Sequence, residues 1–222
     1  MNKLIVIEGL DGSGKATQSK LLSSSLTQRG MRVRTISFPD YNSPSSSLVK
    51  MYLAGEFGSK ADDVNAYAAS SFYAVDRYAS YKKYWSEDYR NGIVIADRYT
   101  TSNAIHQCSK LDKSQWDEYL EWLFHFEYCL LGIPQPNLVI YLQADPVVSQ
   151  KLMTCRYDGH EEKKDIHEKD MEYLARCRES AEYCAKKLNW KIVECTINGT
   201  MRSIDEIQKD INAIVEEELE LE

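Results

Sequence analysis

The sequence lacks the cysteine and histidine patterns that mark a metal centre or a disulfide framework. Its six cysteines are scattered without a CxxC pair, and its four histidines do not stand at metal-ligand spacing. Cysteines used in this way are typical of free, buried thiols in a reducing compartment. We therefore expect no disulfide frame and no structural zinc, and we expect a cytoplasmic protein.

Long apolar runs and an excess of basic residues are also missing. No apolar run approaches the roughly 18 residues that a membrane-spanning helix needs, and the opening run is too short for a signal-peptide core. The net charge of −7 argues against a surface that coats nucleic acid. We expect neither a membrane nor a nucleic-acid partner, and any phosphate site must be a local basic patch.

The 222 residues contain no repeat, linker or low-complexity tract, which favours a single domain over residues 1–222. Short apolar runs alternate with longer amphipathic segments, and this order predicts an α/β fold with a five-stranded parallel sheet and helices on both faces. The predicted strands are 3–8, 32–38, 93–96, 138–142 and 191–196. The predicted helices are 15–29, 48–53, 62–88, 99–108, 113–130, a segment beginning at 145, 166–188 and a last one after a Ser203/Glu206 capping box.

A glycine-rich loop with a lysine at its end follows the first predicted strand. Its glycines let backbone N–H groups turn towards phosphate oxygens, while the lysine reaches the terminal phosphates and the following helix contributes its N-terminus. This order of strand, loop, lysine and helix indicates a nucleotide phosphate site far more strongly than a mere tight turn. The candidate phosphate-binding residues are Gly9, Gly12, Ser13, Gly14, Lys15, Ala16 and Thr17.

The residue after Lys15 departs from the usual pattern, because Ala16 stands where a serine or threonine would contact magnesium. The Thr17 hydroxyl comes one position later. Asp97 ends the third predicted strand, where a carboxylate is well placed to hold magnesium directly or through water. A helix N-cap is the structural alternative for Asp97 and is compatible with that role. Arg98 beside it offers a planar fork for a phosphate group.

Two residues on the long predicted helix could contact one ligand together. Tyr73 and Arg77 are four positions apart and therefore share one helix face. A flat aromatic ring can stack on a base while a guanidinium donates to its exocyclic oxygen. Phe72 adjoins Tyr73, and core packing is the simpler interpretation of an aromatic on a long helix. We predict that Phe72 packs in the core, and that Tyr73 lies on the same helix face as Arg77.

The combination of these segments resembles the thymidylate kinase family over nearly the whole chain. The matching segments are the glycine-rich loop, Phe38-Pro39, Tyr73-Ala-Val-Asp-Arg77, Asp97-Arg98-Tyr99 with Ser102-Asn103-Ala104, and Lys164-Asp165-Ile-His-Glu168. The resemblance implies a three-layer P-loop NTPase fold with a short lid at about residues 154–165. It also implies transfer of the γ-phosphate of ATP to dTMP with Mg²⁺, by a homodimer.

The resemblance carries roles onto single residues of the site. It implies that Tyr73 stacks on the thymine, that Arg77 and Asn103 read its edge, and that Arg98 holds the acceptor phosphate. Asp11 would meet the deoxyribose 3′-hydroxyl or a magnesium-bound water. Other expected dTMP contacts are Phe38, Tyr41, Phe72, Ser102 and His106, although relatives commonly carry an aromatic residue where His106 stands.

The sequence lacks positive charge at two places near the expected site. Many relatives carry an arginine where Asp40 follows Phe38-Pro39, and the loop from Gly9 to Gly14 has no basic residue. Phosphoryl transfer needs positive charge around the equatorial oxygens, so we expect the lid to supply it. Arg156 is the predicted lid cation, with Lys163 and Lys164 as substitutes. The predicted catalytic set is therefore Lys15, Arg98, Arg156 and Asp11.

Two alternatives to a dTMP kinase remain at this stage. One is a kinase for another nucleotide or for a deoxynucleoside, and the other is a non-catalytic P-loop protein, suggested by Ala16 and Asp40. The acceptor-side residues argue against the second, because they accompany a complete donor loop. A GTPase is not supported, since the sequence contains no Asn-Lys-x-Asp segment for reading guanine.

Overall fold

A computed structural model describes residues 2–149 and 171–219 of the chain. Its main sheet has five parallel strands in the order β2-β3-β1-β4-β5. The predicted α/β class, strand number and strand direction are therefore confirmed. The strands are β1 (Lys3–Glu8), β2 (Val33–Ser37), β3 (Ile93–Asp97), β4 (Leu138–Gln143) and β5 (Lys191–Glu194).

The helices of the described ranges alternate with these strands. They are α1 (Lys15–Gln28), α2 (Ser47–Leu53), α3 (Ala66–Ser80), α4 (Ser86–Asn91), α5 (Thr100–Cys108), α6 (Trp116–Phe124), α7 (Met171–Lys187) and α8 (Ile204–Leu219). Short 3₁₀ turns lie at Pro44–Ser46, Ala61–Asp63 and Lys113–Gln115, and π-helical turns at Tyr81–Trp85 and His125–Leu130. A further helical turn over residues 146–149 reaches the end of the first described range.

The central strand β1 shows how the sheet obtains a core on each face. Successive side chains of a strand point to opposite faces, and both sets are apolar here. Ile5 and Ile7 pack with α1 and α8 on one face. Leu4 and Val6 pack on the other face with Trp85 from the π-helical turn after α3. The sheet is thus the middle of three layers, as the sequence predicted.

The strand order also locates the ligand site. From β1 the chain passes to β2 and β3 on one side, and then crosses to β4 on the other side of β1. Ligands of open α/β sheets bind beyond the carboxyl ends of the strands, where the order reverses in this way. That position is the crevice beyond β3, β1 and β4, and the loops after these strands begin at Arg98, Gly9 and Ala144.

The long helix predicted over 62–88 is divided and shifted. Asp62 lies in a 3₁₀ turn, and α3 begins after Asn65, whose side chain accepts a hydrogen bond from the Ala68 N–H at 2.9 Å. Asparagine is a strong N-cap, so it starts the helix later than the apolar periodicity alone indicates. The helix then continues through the π-helical turn into α4, which ends at Asn91.

The fifth strand is shorter than predicted, because residues 195–201 turn away from the sheet. Thr196–Ile197 pairs in antiparallel fashion with Thr200–Met201. Asn198 and Gly199 between them have positive φ angles of 52° and 71°. An Asn-Gly pair is a strong hairpin signal, so this small ribbon was visible in the sequence and was missed. The predicted Ser203/Glu206 capping box before α8 is confirmed by reciprocal side-chain to N–H bonds of 3.3 and 3.0 Å.

The five cysteines that the structure describes are free thiols. Four of them are buried, namely Cys108, Cys177, Cys184 and Cys195, and Cys129 is exposed. The expectation of unbridged cysteines is confirmed for these five. None of the helices in the described ranges combines the length and the apolar character needed to cross a membrane.

Candidate active site

The glycine-rich loop joins β1 to α1 and packs tightly against the sheet. A Cβ atom at Gly9 would approach the Ser13 hydroxyl to 2.5 Å and the Leu142 carbonyl oxygen of β4 to 2.9 Å. Gly12 and Gly14 adopt φ angles of +80° and +93°, which residues with a side chain rarely adopt. The glycines therefore let the backbone itself form the floor of the site, as a phosphate cradle requires.

Lys15 lies inside this loop, with its side chain 8% exposed. Its Nζ donates to the Leu10 carbonyl oxygen at 3.0 Å and stands 3.9 Å from an Asp11 carboxylate oxygen. Burial and the Arg98 cation lower the pKa of Lys15, and the Asp11 carboxylate partly offsets them. A bound polyphosphate would supply further negative charge and stabilise the charged form of this ammonium.

Arg98 reaches the same loop from the carboxyl end of β3. Its backbone has φ +68°, an unusual value for a residue with a long side chain, and its N–H donates to the Ile7 carbonyl oxygen of β1 at 3.3 Å. The guanidinium Nη2 donates to Asp11 Oδ1 at 2.5 Å. The strained backbone at a strand end thus aims the side chain across the crevice onto the glycine-rich loop.

The Asp11–Arg98 ion pair explains an acidic residue inside a phosphate-binding loop. Burial by itself would raise the pKa of Asp11, but the Arg98 and Lys15 cations together hold it well below its usual range. Burial likewise disfavours the Arg98 cation, and the surrounding carboxylates raise the arginine pKa instead. Asp11 is therefore an anion at neutral pH and offsets part of the positive charge of the two cations before any phosphate is present.

Glu8 is a site residue that the sequence reasoning missed. It is fully buried at the end of β1 and accepts hydrogen bonds from the Thr101 hydroxyl at 2.7 Å, the Ser102 hydroxyl at 2.9 and 3.0 Å, and the Gly9 N–H at 3.0 Å. These bonds fix the loop to the first turn of α5. The available signal was a carboxylate at the end of an otherwise apolar strand, directly before the loop.

The two neighbouring aromatics on α3 have different surroundings. Phe72 packs against Phe57 and Tyr52, with ring centroids 5.5 and 6.3 Å apart. Tyr73 contacts Tyr52 edge-on at 6.5 Å and lies near enough to Arg98 to influence the pKa of its guanidinium. These surroundings agree with Tyr73 as the side chain nearer the crevice, and its role as base platform stays a prediction.

The two predicted base readers, Arg77 and Asn103, lie in a buried network around Glu127. Arg77 is 1% exposed and bonds both Glu127 oxygens, from Nε at 2.7 Å and from Nη2 at 2.5 Å. Asn103 is 2% exposed and donates to the Ser70 carbonyl oxygen at 3.2 Å and to Glu127 at 3.3 Å. Glu127 belongs to the π-helical turn after α6, and no local pattern indicated this partner. Base reading by Arg77 and Asn103 stays a prediction.

Two of the four other predicted dTMP contacts, Ser102 and His106, lie beside Arg98. Ser102 is half-buried, bonds Glu8 and lies 3.5 Å from Arg98 Nη1. His106 Nε2 lies 3.2 Å from the same Nη1. Phe38 is buried and packs on Tyr99 with centroids 6.0 Å apart, whereas Tyr41 is 53% exposed.

Gln107 is a second residue that the sequence reasoning missed. It is fully buried on α5, one turn after Asn103, and neither its amide nitrogen nor its amide oxygen has a hydrogen-bond partner among the described residues. A buried amide normally has partners for both groups. The amide presents one hydrogen-bond donor and one acceptor, and the edge of a nucleobase presents donors and acceptors side by side. Its sequence neighbourhood gave no sign of this.

The predicted magnesium residues lie at the mouth of the site. Asp97 is half-buried at the end of β3, and Thr17 is exposed on the first turn of α1 beside Ala16. Within the two described ranges, no group of three or more acidic, cysteine or histidine side chains could enclose a metal by itself. Mg²⁺ is commonly bound by one or two carboxylates plus waters and phosphate oxygens. The donor set of this crevice therefore fits magnesium held mainly through a nucleotide.

The predicted lid at residues 154–165, with Arg156, Lys163 and Lys164, lies outside the described residues. Its contribution of a catalytic cation stays a prediction.

A glycine-rich loop with a buried lysine after the central strand of a three-layer parallel sheet is typical of P-loop proteins, the class that includes the nucleoside monophosphate kinases, which are transferases. The sequence model of the thymidylate kinase family matches residues 7–211. The chain belongs to the thymidylate kinase family.

Known members of the family resemble the chain over most of its length. It is 31% identical to the thymidylate kinase of Mycobacterium tuberculosis over 179 residues, which covers 78% of this chain and 81% of that protein. It is 26% identical to the human thymidylate kinase over 216 residues, covering 96% and 90% of the two chains. The solved structure of the thymidylate kinase of Candida albicans has the same fold, with a TM-score of 0.70, 22% identity and coverage of 97% of this chain and 92% of that one.

The buried Arg77–Glu127 pair predicts a large effect on stability. Glu127→Gln removes the charge that offsets a fully buried guanidinium, and breaking such a pair costs about 3–5 kcal/mol. We expect the free energy of unfolding, measured by urea denaturation, to fall by that amount. The matched control is Glu179→Gln, which removes the exposed partner of Lys113 and should cost at most ~1 kcal/mol. Equal losses of unfolding free energy in the two variants would contradict a stabilising role for the buried Arg77–Glu127 pair.

Proposed function

We propose that this protein transfers the γ-phosphoryl group of ATP to dTMP, giving ADP and dTDP, in the synthesis of dTTP. The observation that carries the proposal is the 2.5 Å Asp11–Arg98 contact. It joins the loop that suits the donor phosphates to the arginine that suits the acceptor phosphate. Two phosphate-binding elements on either side of one crevice match a reaction between two phosphorylated substrates, and this geometry exceeds what a simple nucleotide-binding protein needs.

Each phosphate has a proposed set of partners. The backbone of residues 9–17 and the Lys15 ammonium hold the β- and γ-phosphates of ATP, for which the ammonium leaves the Leu10 carbonyl. Arg98 holds the dTMP phosphate so that one of its oxygens attacks the γ-phosphorus as the bond to the β-phosphate oxygen breaks. Catalysis consists of positioning and charge neutralisation, with no nucleophilic side chain. Asp11 serves the sugar 3′-hydroxyl, and Arg156 completes the charge from the lid.

The base is proposed to lie against α3 and α5. Tyr73 stacks on the thymine, and Arg77 and Asn103 donate to its edge with the help of Glu127, which orients both. We add Gln107 to this set, because its buried amide presents one donor and one acceptor without a partner among the described residues. The edge of thymine offers a carbonyl and an N–H, which would satisfy both.

Magnesium is proposed to enter with ATP and to be held by Asp97, with help from the Thr17 hydroxyl. When bound, it supplies positive charge that screens the phosphate oxygens. The role of the chain is to present the Asp97 carboxylate beside Lys15, whose pKa that carboxylate raises.

We also propose a homodimer formed through α3. Three large side chains, Tyr67, Val75 and Tyr78, are exposed at positions that share one face of this helix, and Val75 is 50% exposed. The ring of Tyr67 lies 4.6 Å from that of Trp122 on α6, which extends the apolar surface. Such a surface on a soluble enzyme fits a partner of the same kind. The free buried thiols support a cytoplasmic location.

The proposed reaction predicts which substrate is preferred and how much activity is lost when the loop lysine is replaced. In a coupled assay with ATP, dTMP should be consumed faster than dUMP, dCMP or dGMP, and thymidine should be inert. Lys15→Met should lower kcat by about 10²–10³-fold, because a donor to the transferred phosphates is lost. Lys20→Met on the exposed side of α1 is the control and should leave kcat unchanged. Turnover of another substrate with dTMP inert would refute the proposal.

The proposed magnesium site predicts a shifted metal requirement. Asp97→Asn should raise the Mg²⁺ concentration for half-maximal activity by about 10-fold or more, because the negatively charged carboxylate is replaced by a neutral amide. Asp40→Asn, an acidic residue on the neighbouring turn, is the control and should leave the requirement unaltered. A magnesium titration in which Asp97→Asn behaves as the wild type would remove Asp97 from the site.

The proposed dimer predicts a change of mass. Light scattering after size exclusion should give twice the chain mass for the wild type and the single chain mass for Val75→Glu. Ile197→Glu introduces the same charge at an exposed apolar residue of the small hairpin and should leave the dimer intact. A wild type of single chain mass at micromolar concentration would overturn this part of the proposal.

A further inference from the structure

His106 makes a contact with Arg98 that restricts the protonation state and the tautomer of the imidazole ring. Its Nε2 lies 3.2 Å from Arg98 Nη1. A guanidinium nitrogen can only donate a hydrogen bond, so Nε2 must accept it with its lone pair. In the neutral tautomer with its hydrogen on Nε2, two N–H donors would face each other, and in the imidazolium two cations would also do so. The contact therefore selects the neutral imidazole with its hydrogen on Nδ1.

The opposite edge of the ring is held by α7. The Tyr173 hydroxyl lies 3.2 Å from His106 Nδ1, and the Cys177 sulfur lies 3.4 Å from it. The rings of His106 and Tyr173 are also nearly parallel, at 25° and 6.1 Å. Burial raises the pKa of Tyr173, and it raises that of Cys177 to about 11, so both partners are neutral at physiological pH. Either can accept the Nδ1 hydrogen, and Cys177 is not an activated nucleophile.

Arg98 is thereby oriented from three sides. Asp11 binds Nη2 at 2.5 Å, while His106 at 3.2 Å and Ser102 at 3.5 Å flank Nη1. An ion pair alone would leave the guanidinium free to pivot about Asp11. His106 Nε2, on the second turn of α5, fixes the orientation of the guanidinium plane. A guanidinium can donate two parallel hydrogen bonds to a phosphate only when its plane is correctly oriented.

We propose that neutral His106 is the positioning residue that orients Arg98 towards the acceptor phosphate through the Nε2···Nη1 contact, so that binding of the acceptor monophosphate weakens when this imidazole takes up a proton. The inference rests on the proposed function, because it assumes that Arg98 holds the dTMP phosphate. A phenylalanine at this position could not perform this task, since a hydrocarbon ring offers no lone pair.

The groups around His106 determine the sign of the pH effect. Histidine side chains generally take up a proton between pH 8 and pH 5. Protonation removes the acceptor at Nε2 and places two cations 3.2 Å apart. Asp11 would attract the imidazolium, but its carboxylate is already paired with the guanidinium. Among the described residues, the facing groups are Arg98 from the β3–α5 turn, Asp11 from the loop, Tyr173 and Cys177 from α7, and Tyr73 from α3, which faces Arg98 and Tyr173. When the imidazole is protonated, Arg98 loses its contact with Nε2.

The first test separates phosphate binding from nucleoside binding. In His106→Phe the ring is kept and the acceptor is lost, so at pH 7.5 the dissociation constant for dTMP should rise about tenfold by calorimetry. The dissociation constant for thymidine, which has no phosphate, should change less than about twofold. The KM for ATP should also stay the same. Equal weakening for dTMP and thymidine would mean that His106 packs on the nucleoside, and unchanged dTMP binding would mean that it does not act on Arg98; either result overturns the inference.

The second test uses a variant with an acceptor that does not titrate. His106→Gln can present a carbonyl oxygen near the position of Nε2, so dTMP binding at pH 7.5 should stay close to that of the wild type. Between pH 7.5 and 5.5 the wild type should lose affinity relative to His106→Gln. The phosphate of dTMP takes up a proton near pH 6 with both proteins, and the ratio of their affinities cancels that effect. A ratio that is constant with pH overturns the inference. This comparison also decides the matter if His106→Phe does not fold.

A double-mutant cycle with Arg98→Lys shows whether His106 acts through Arg98. When His106→Phe is added to the Arg98→Lys variant, dTMP binding should change by less than about twofold, because the oriented fork is already absent. An undiminished tenfold effect would overturn the inference. A wild type that neither binds nor phosphorylates dTMP would instead refute the proposed function, and the inference with it, so the two failures are distinguishable.

Discussion

The Asp11–Arg98 ion pair is the interaction on which the arrangement of the site depends. A crevice that must bind several phosphate groups collects cations, and here Lys15 and Arg98 lie within reach of one carboxylate. Without a counter-charge, two buried cations would repel each other and each would lose its solvation. Asp11 supplies one negative charge inside the loop, so the repulsion between the two cations is partly offset before a nucleotide enters.

Two buried carboxylates hold the first turn of α5, which follows Arg98 in the chain, from different sides. Glu8 at the end of β1 accepts bonds from Thr101 and Ser102, and Glu127 accepts bonds from Thr100 and Asn103. Negative groups are favourable at a helix N-terminus, where the backbone N–H groups lack partners. Glu8 also bonds the Gly9 N–H, so the loop and the helix cannot move independently. The donor and acceptor sides of the site therefore share one rigid support.

The sequence revealed the parts of this arrangement that depend on neighbours along the chain. The apolar strands, the Gly9–Lys15 loop and the Asp97-Arg98 strand end follow from local spacing, and the parallel sheet then brings the loops together. Glu127 and Gln107 could not be found in this way. Glu127 meets Arg77 from 50 residues away, and a buried carboxylate is recognisable only once its partners are known. Local propensity also misjudged the start of α3, where the Asn65 cap prevailed over periodicity.

The departures from the family pattern increase the importance of how Arg98 is held. Asp40 replaces an expected arginine, and its backbone N–H is fixed by the buried Asp76 carboxylate at 2.8 Å, so the turn is retained without its cation. The glycine-rich loop contributes no basic side chain other than Lys15. Within the part of the chain that the structure describes, the acceptor phosphate of the proposed reaction would thus depend heavily on one guanidinium. A single cation gives strong transition-state stabilisation only if its direction is fixed in advance, because a mobile fork would lose entropy with each bond. Three partners on two elements around Arg98 are consistent with that requirement.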